Sequence, residues 1–458
     1  MKTLSLAAVA AFACFAPIAA AQTAHLWVDP SAGNDTNTGT RAAPLKTLEK
    51  ALTGRNFDLV VHALPGTYGP KTNGDFWDTA NNKSKKISLN GFKNLKIVGE
   101  DRATCIIDFN GIDDVWYGLI GVGGVGTDNI EITNLTFQNV GIATVWGCSP
   151  INTTAGCKNI DIHGNLFIDA GSAFICWGGF DVSFHDNVIL STTATPSLVA
   201  IRLRTQYFNA ADGDRTYCYN NVIINQNHGI SYASRNLALQ WICNNVILNG
   251  NLGFPGSAPP AHVVLESNIA WNCTTPYNYT VSASNRVVDP LLVDVAKNDF
   301  HQKAGSPCFE KGYPVPTALS MRNDYYGNAR CNDGDDDRTA LPDIGVHEVT
   351  DVELSVTNWG IGKSGIFTNK SSTSFAGPAV FFFAFGKAGI MAPSVGSVGF
   401  DPATLLFSLG TSVPGSVPLT VPNDPTLAGV LLYAQSFGLK SVSGGFSWKP
   451  SAVLDLEL

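Results

Sequence analysis

Three arginines lie at alternating positions in two neighbouring segments of the chain: Arg202, Arg204 and Arg235. In the segment SLVAIRLR (197–204) apolar residues alternate with arginines, which predicts a strand that turns its guanidinium groups outward. Guanidinium groups pair bidentately with carboxylates, so a uronic-acid polymer is the expected ligand. Like charges this close repel each other unless an anion lies between them. The alternative is a solvated salt-bridge patch that closes a loop.

His228 lies in the same segment as Arg235, NHGISYASR (227–235), and is the candidate base. β-Elimination of an acidic sugar needs a base for the proton beside the carboxyl group and a positive charge for the enolate. Arginine is a poor base because its pKa stays very high, whereas histidine titrates near neutrality. The candidate catalytic residues are therefore Arg202, Arg204, His228 and Arg235.

Two acidic segments are candidate calcium ligands. The insertion TQYFNAADGDR (205–215) brings Asp212 and Asp214 close to the arginines, where they would neutralise the patch or hold Ca²⁺ as a bridge to the sugar. A second segment, CNDGDDDR (331–338), is rich in aspartate but lacks the spacing of an EF-hand loop. Calcium there would be structural, and a solvated acidic loop is the alternative.

The elements that position these residues are marked by a repeated asparagine. The pattern apolar-x-x-Asn-apolar places it at Asn165, Asn187, Asn221, Asn245 and Asn268. Intervals of 22 to 34 residues indicate stacked units, and three short strand-like segments per unit predict the coils of a parallel β-helix. Asparagine tolerates the left-handed conformation, so each one is predicted to turn the chain at a corner and to stack on the next.

Positions around the asparagine predict which side chains face inward. Apolar residues recur three positions before it and one and three positions after it, and all three rows are predicted to point into the core. The positions two and four before it are predicted to point outward. They carry an aromatic strip suited to stacking on sugar rings, at Tyr217, Tyr219 and Trp241. The alternative is that a neighbouring loop covers these rings.

Both ends of this region resemble a known family. The segments VDPSAGNDTNTGTRAAPLKTLEKAL (28–52) and VVHALPGTY (60–68) resemble the entry to secreted right-handed parallel β-helix proteins of the pectin-lyase-like superfamily. Three later segments resemble its closing sequence: VDPLLVD (288–294), AGSPCFEKG (304–312) and PDIGVHE (342–348). The resemblance implies a right-handed parallel β-helix with a short N-terminal capping helix. Many relatives act on acidic polysaccharides, and lyases among them often use Lys or Arg as the base.

Composition and patterning divide the chain into three parts. Residues 1–21 have the apolar run and small residues of a signal peptide, which predicts a secreted or cell-surface protein. Residues 22–349 form the predicted β-helix, and 350–458, with few charges and much Gly, Ser and Val, are predicted to form a small β-sandwich-like domain. The fold class is therefore all-β. No later segment is long enough to span a membrane, and no Lys/Arg cluster indicates nucleic-acid binding.

The mature chain has nine cysteines after Cys14 is removed with the signal peptide, so at least one thiol is left without an internal partner. Cys148 with Cys157 and Cys308 with Cys331 are predicted disulfides of an exported protein. Zinc is disfavoured because the chain has no C-x-x-C pair. We expect a monomer.

Three functions remain open at this stage. The first is binding of an acidic polysaccharide, with cleavage by β-elimination. The second is hydrolysis by paired carboxylates about 5–10 Å apart, for which the available aspartates are Asp161, Asp181, Asp186, Asp212 and Asp214. The third is a non-catalytic surface or adhesion protein whose solenoid is a spacer. A basic cleft favours the first, paired acids the second, and a face without a cleft the third.

Overall fold

The structure is a computed structural model of the chain. It describes residues 23–457 except 56, 79–82, 110–118, 141–148, 193–198, 204–214, 233–238, 304, 315–322, 329, 331–340, 350–352, 358–362, 371–375, 386, 393–395, 401–403, 422–430, 443–444 and 452–453. From Ala24 to Tyr277, all described strands except one short hairpin form three parallel sheets that wind around one apolar core. This arrangement is a parallel β-helix, so the predicted fold class is confirmed.

Sheet A has nine strands: β1 (Ala24–Val28), β2 (Phe57–Ala63), β7 (Lys93–Gly99), β10 (Asp128–Thr133), β13 (Lys158–His163), β16 (Phe180–His185), β19 (Arg215–Tyr219), β22 (Leu239–Cys243) and β25 (Val263–Glu266). Sheet B follows the asparagine corner and has eight: β3 (Gly66–Tyr68), β8 (Cys105–Asp108), β11 (Thr136–Gln138), β14 (Leu166–Ile168), β17 (Val188–Leu190), β20 (Val222–Ile224), β23 (Val246–Leu248) and β26 (Ile269–Trp271). Each strand pairs in parallel with the equivalent strand of the next coil.

Sheet C completes each coil with eight strands: β6 (Ile87–Ser88), β9 (Ile120–Val122), β12 (Ile151–Thr153), β15 (Phe174–Cys176), β18 (Val199–Leu203), β21 (His228–Tyr232), β24 (Leu252–Phe254) and β27 (Thr275–Tyr277). A short hairpin, β4 (Trp77–Asp78) with β5 (Lys83–Ser84), precedes it. Parallel pairing in register places equivalent residues of successive coils above one another, so a side chain's row can be read directly from the strand pairs.

The corner asparagines form a buried ladder, as predicted, but they do not adopt the left-handed conformation themselves. Asn221 donates through Nδ2 to Asn245 Oδ1 at 2.9 Å, and the pattern continues to Asn285, one step beyond the repeats found in the sequence. The residues with positive φ come one position earlier: Gly164, Asp186, Asn220, Asn244 and Ser267. The turn is therefore made by the preceding residue, which leaves the asparagine side chain free to bond the next coil.

Two of the three predicted inward rows were wrong. The row three positions before the corner, Ile162 to Leu265, does belong to the core. The residues one position after the corner instead join a second cluster with Phe300, Ile344 and Val346, and those three positions after it pack there or remain partly exposed. The middle residue of each sheet B strand points inward, as Phe167 does. Sheet B is covered on both faces, which explains its continuous apolar runs.

The helix α1 (Leu48–Leu52) lies between β1 and β2 and buries Leu48, Ala51 and Leu52 in the end of the core. Its first turn is fixed by Thr47, whose side chain accepts from Lys50 N, and by Asp75, whose carboxylate accepts from the backbone N–H of two helical residues. This is the short helix that the sequence predicted.

The described residues of 288–349, here called the closing segment, lie against the coils. It contains β28 (Leu292–Asp294), a 3₁₀ helix (Val295–Lys297) and β29 (Asp299–Gln302), which pairs antiparallel with β28. Corner residues hold it: Asn220 Nδ2 donates to the carbonyls of Asp343 and Gly345 at 2.7 and 2.9 Å. The segment therefore covers sheet B and the adjoining part of sheet A.

The C-terminal part is built from antiparallel strands. One sheet contains β30 (Glu353–Thr357), β31 (Ser364–Lys370) and β36 (Gly415–Thr420). A second contains β32 (Gly377–Ala384), β35 (Leu405–Val413), β37 (Leu431–Val442), β38 (Gly445–Pro450) and β39 (Leu454–Glu457), and β33 (Lys387–Ala392) pairs with β34 (Gly396–Phe400). Phe367 and Phe381 from the two larger sheets share one core, as in a sandwich.

Several sequence predictions fall on residues that the structure leaves undescribed. They are the signal peptide, Cys148, Cys331 and the acidic segment 331–338. The described part of the chain contains no disulfide, and one cysteine of each predicted pair lies outside it. Within that part, none of the helices is long and apolar enough to cross a membrane.

Candidate functional site

Arg202 lies on the outer face of sheet C, as the strand alternation predicted. Its neighbours in β18, Ile201 and Leu203, belong to the core, so the guanidinium group points away from it. The side chain is only 4% exposed, however. Arg202 therefore points outward from the core but is covered by other parts of the protein. A guanidinium group at such a position is rigidly held, which suits recognition of a carboxylate better than a mobile surface arginine does.

His228 begins the next strand, β21, and is half-buried. The pairing of β18 with β21 places Val199 beside His228 and Arg202 beside Ser231. Burial lowers the pKa of His228, and the positive charge of Arg202 lowers it further. Since the ordinary value is 6.5, the imidazole is neutral at pH 7 and can accept a proton close to a guanidinium group.

The remaining predicted members of this site lie outside the described residues: Arg204, Arg235, Asp212 and Asp214. Arg215, at the end of the same insertion, is described and forms an ion pair with Asp181 at 2.6 Å. The structure thus brings together Arg202 and His228, and the other four assignments stay predictions.

Asn152 is a further polar residue on the outer face of sheet C that the sequence did not indicate. The strand pairs of sheet C align Gly121, Asn152, Ile175, Arg202 and Ser231 in one outward row. Asn152 is fully buried, and in the part of the chain that the structure describes neither its Oδ1 nor its Nδ2 has a hydrogen-bond partner. The segment INT (151–153) does not show which side chain points outward. Thr153 is polar as well, although it lies on the core-facing side of the strand together with Ile151.

The predicted aromatic strip lies on the outer face of sheet A, but it is covered. Tyr217, Tyr219 and Cys243 form a buried cluster against which Trp241 and Tyr313 pack. The rings of Trp241 and Tyr313 are 5.7 Å apart, centroid to centroid. The prediction that Tyr217 and Tyr219 are exposed for stacking on sugar is therefore wrong. Tyr313 of the closing segment packs against the cluster that contains them.

The same face carries a chain of charged side chains. His185 is fully buried, with Nδ1 2.7 Å from Asp186 and Nε2 2.8 Å from Asp161. Asp186 continues the chain to Arg330 of the closing segment, and Arg330 reaches Glu348 at 3.2 Å. The chain joins sheet A to the closing segment through buried ion pairs, so it has a clear structural role.

Both ring nitrogens of His185 are occupied by carboxyl groups. Nδ1 contacts Asp186 and Nε2 contacts Asp161. Asp161 and Asp186 are thereby engaged with His185 and do not flank a space in which a glycosidic bond could lie.

Metal binding finds no support in the described part of the chain. No group of three or more His, Cys, Asp or Glu residues there is arranged to hold an ion. The aspartates predicted to bind Ca²⁺ lie outside it.

A family model described as "Protein of unknown function (DUF1565)" matches residues 31–261, half of the chain. The match begins before α1 and ends ahead of β25, so it includes most coils of the β-helix and both Asn152 and Arg202. None of the curated proteins matches the chain.

Three solved structures are similar to the chain at low identity. A rhamnogalacturonan lyase shares 15% identity at a TM-score of 0.36, over 54% of this chain and 74% of its own. A GH136 lacto-N-biosidase from Eubacterium ramulus shares 12% at 0.37, over 54% and 52%. The pectate lyase Pel9A shares 14% at 0.34, over 71% and 96%. The assignment as a parallel β-helix rests on the three sheets described above.

Proposed function

Because the chain belongs to the DUF1565 family, whose function is unknown, we propose a function from its own residues: it binds an acidic polysaccharide along the outer face of sheet C. The observation that carries the proposal is Arg202, a buried guanidinium group that points out of the core beside a neutral histidine. The strands of sheet C lie side by side along the β-helix, so an extended polymer that crosses them would meet equivalent positions of successive coils.

The chemistry of the pair favours β-elimination as the reaction. Neutral His228 would take the proton from the carbon beside the sugar carboxyl, while Arg202 stabilises the negative charge that then develops on that carboxyl group. The electron pair of the broken C–H bond forms the double bond as the glycosidic oxygen leaves. Hydrolysis is less well supported, since Asp161, Asp186 and Asp181 are all engaged with His185 or Arg215.

The proposed function also includes the roles predicted for residues that lie outside the described part of the chain. Asp212 and Asp214 would hold Ca²⁺ between the protein and the uronate groups, and Arg204 and Arg235 would extend the positive face. Residues 1–21 would direct the protein out of the cell, where such polymers occur.

The test is an assay of the purified protein on pectate, alginate and glycosaminoglycans, with and without Ca²⁺. Products with a new double bond absorb in the near ultraviolet, and we expect them from one of these polymers. His228→Asn should remove the absorbance increase while leaving polymer binding intact, and Arg202→Gln should weaken binding itself. New reducing ends without absorbance would indicate hydrolysis instead, and no binding to any of the polymers would overturn the proposal.

A further inference from the structure

Asn152 is an unusual residue to find on the outer face of sheet C. Its side chain is fully buried, yet neither polar atom of the amide has a hydrogen-bond partner among the described residues. A buried amide in this state destabilises the folded protein relative to one whose polar atoms are paired. The corner asparagines show that this chain can satisfy a buried amide fully, since Asn221 bonds Phe184 O, Tyr219 O and Asn245 Oδ1. Asn152 is therefore a candidate ligand-binding residue, whose amide would form hydrogen bonds with a ligand instead of with the protein.

Lys86 lies beside Asn152 and is also without a partner. The residue precedes β6 and is exposed, and it makes no hydrogen bond or ion pair with the described residues. Partial burial of the side chain lowers the pKa of Lys86, and no carboxylate counters this effect. An ammonium group next to an unbonded amide is a site that favours an anion.

Gly121 provides the space in which the two side chains meet. A Cβ atom at Gly121 would lie 2.1 Å from Lys86 Cε, 2.5 Å from Lys86 Nζ and 3.4 Å from Asn152 Oδ1. The φ of Gly121 lies outside the left-handed region, so the backbone itself does not require glycine. Any larger residue would displace Lys86, and the glycine is explained by that contact.

We propose that Lys86 and Asn152 form a second subsite for a uronate residue of the bound polysaccharide, a proposal that rests on the proposed function. Lys86 Nζ and Asn152 Nδ2 would donate to the two carboxylate oxygens, and Asn152 Oδ1 would accept from a sugar hydroxyl group. This assignment uses each polar atom of the two side chains. The Lys86 stem is flexible, so its rotation can admit the sugar to the amide beneath it.

The position of the subsite fits one polymer lying across the strands of sheet C. Asn152 and Arg202 occupy the same outward row, with only β15 between their strands. Strands are spaced by about 4.8 Å, so the two residues are about 10 Å apart along the row. A polyuronate that runs across the strands would therefore meet a cationic group at Arg202 and another at Lys86.

The test measures the affinity of oligogalacturonates of increasing length by titration calorimetry, with their methyl esters as the uncharged control. Lys86→Gln should weaken binding of the longer oligomers by about tenfold or more, the loss expected for a charge-assisted hydrogen bond. Asn152→Asp should also abolish the contribution of the subsite, because the new carboxylate pairs with Lys86. Gly121→Ala keeps both polar groups but displaces the lysine, and it should weaken binding to a similar degree. The ester should bind wild type and variants equally.

The outcomes separate this proposal from the one on which it rests. If Arg202→Gln weakens binding while Lys86→Gln and Asn152→Asp bind as wild type, the subsite is wrong and the proposed function stands. If the Lys86 and Asn152 variants lose affinity and a folded Arg202→Gln protein does not, the subsite stands without the proposed site at Arg202. Both proposals are overturned if every variant binds the oligogalacturonates with wild-type affinity. They are also overturned if the wild type binds the methyl ester as tightly as the free acid. Thermal unfolding of each variant identifies any that fails to fold.

Discussion

The outer faces of sheets A and C are built from the same backbone repeat, but they differ in whether a buried polar side chain has hydrogen-bond partners. On sheet A, His185 is bonded through both nitrogens, and the ion pair of Asp186 with Arg330 fastens the closing segment over the face. On sheet C, Asn152 is just as buried, but its amide forms no hydrogen bond with any residue that the structure describes. Burial alone therefore does not distinguish structure from function. The distinguishing feature is whether the buried polar group has a partner.

The comparison also shows why the aromatic strip was misleading. Tyr217 and Tyr219 face outward by alternation, as Arg202 does, and rings of this kind suit sugar stacking. Tyr313 covers them, with its backbone N–H donating to Asn244 Oδ1 at 2.6 Å. The outward face of sheet A is consequently an internal interface of the protein.

The largest effect is expected from breaking the ion pairs that close sheet A. Arg330→Met leaves Asp186 and Glu348 buried without their cation, and the free energy of unfolding should fall by about 3–5 kcal/mol. Urea unfolding measures this. Arg41→Met removes the exposed partner of Glu100 and is the matched control, with an expected loss below about 1 kcal/mol. Equal stability of the two variants would show that the closing segment is not held by these charges.

A smaller loss in the free energy of unfolding is expected when one asparagine of the buried corner ladder is replaced. Asn221→Ala removes the donor to three acceptors and the acceptor for Asn187 N at 3.1 Å, which leaves buried backbone groups without partners. The expected cost is about 2–4 kcal/mol in urea unfolding. Asn249→Ala, in the exposed row that bonds Asn225 at 3.2 Å, should cost less than about 1 kcal/mol. A similar cost for both would mean that ladder burial is unimportant.

The closing segment should also give a pH-dependent stability through His347. Burial first, and then the charges of His301 and Arg330, lower the pKa of His347 from 6.5 to about 3, while Asp299 opposes them. A depressed histidine pKa stabilises the folded state above pH 6.5, and this contribution is lost as the pH falls towards 3. Between pH 8 and 5 the stability difference between wild type and His347→Gln should change by about 2 kcal/mol in favour of the variant. A difference that is independent of pH would contradict the assignment.

The smallest effect on stability is expected at Asn152. Because its amide bonds none of the described residues, Asn152→Ala should lower the free energy of unfolding by less than about 1 kcal/mol, in contrast to the equally buried Asn221. The measurement is urea unfolding of the two alanine variants side by side. A loss at Asn152 as large as that at Asn221 would show that the residue is structural, and would remove the contrast between the two faces.

Sequence patterns predicted the parts of this molecule that repeat. The asparagine interval identified the coils, and alternation placed Ile162 inward and His163 outward in β13. Alternation failed in sheet B, where Leu166 faces the closing segment and Phe167 faces the core. A left-handed residue and an asparagine separate sheets A and B, and this shifts the parity in a way that residue counting alone does not show.

The sequence by itself determined the coil, the positions of its corners and, outside sheet B, the direction in which side chains leave their strands, because these follow from local backbone geometry repeated many times. Only the tertiary structure decided which outward residues meet a partner. Arg330 lies 144 residues from Asp186, and Lys86 belongs to the coil of β6 while Asn152 lies two strands further along sheet C. Such encounters depend on how separate segments pack, and no local pattern encodes them. The buried ion pair and the unbonded amide are both products of that packing.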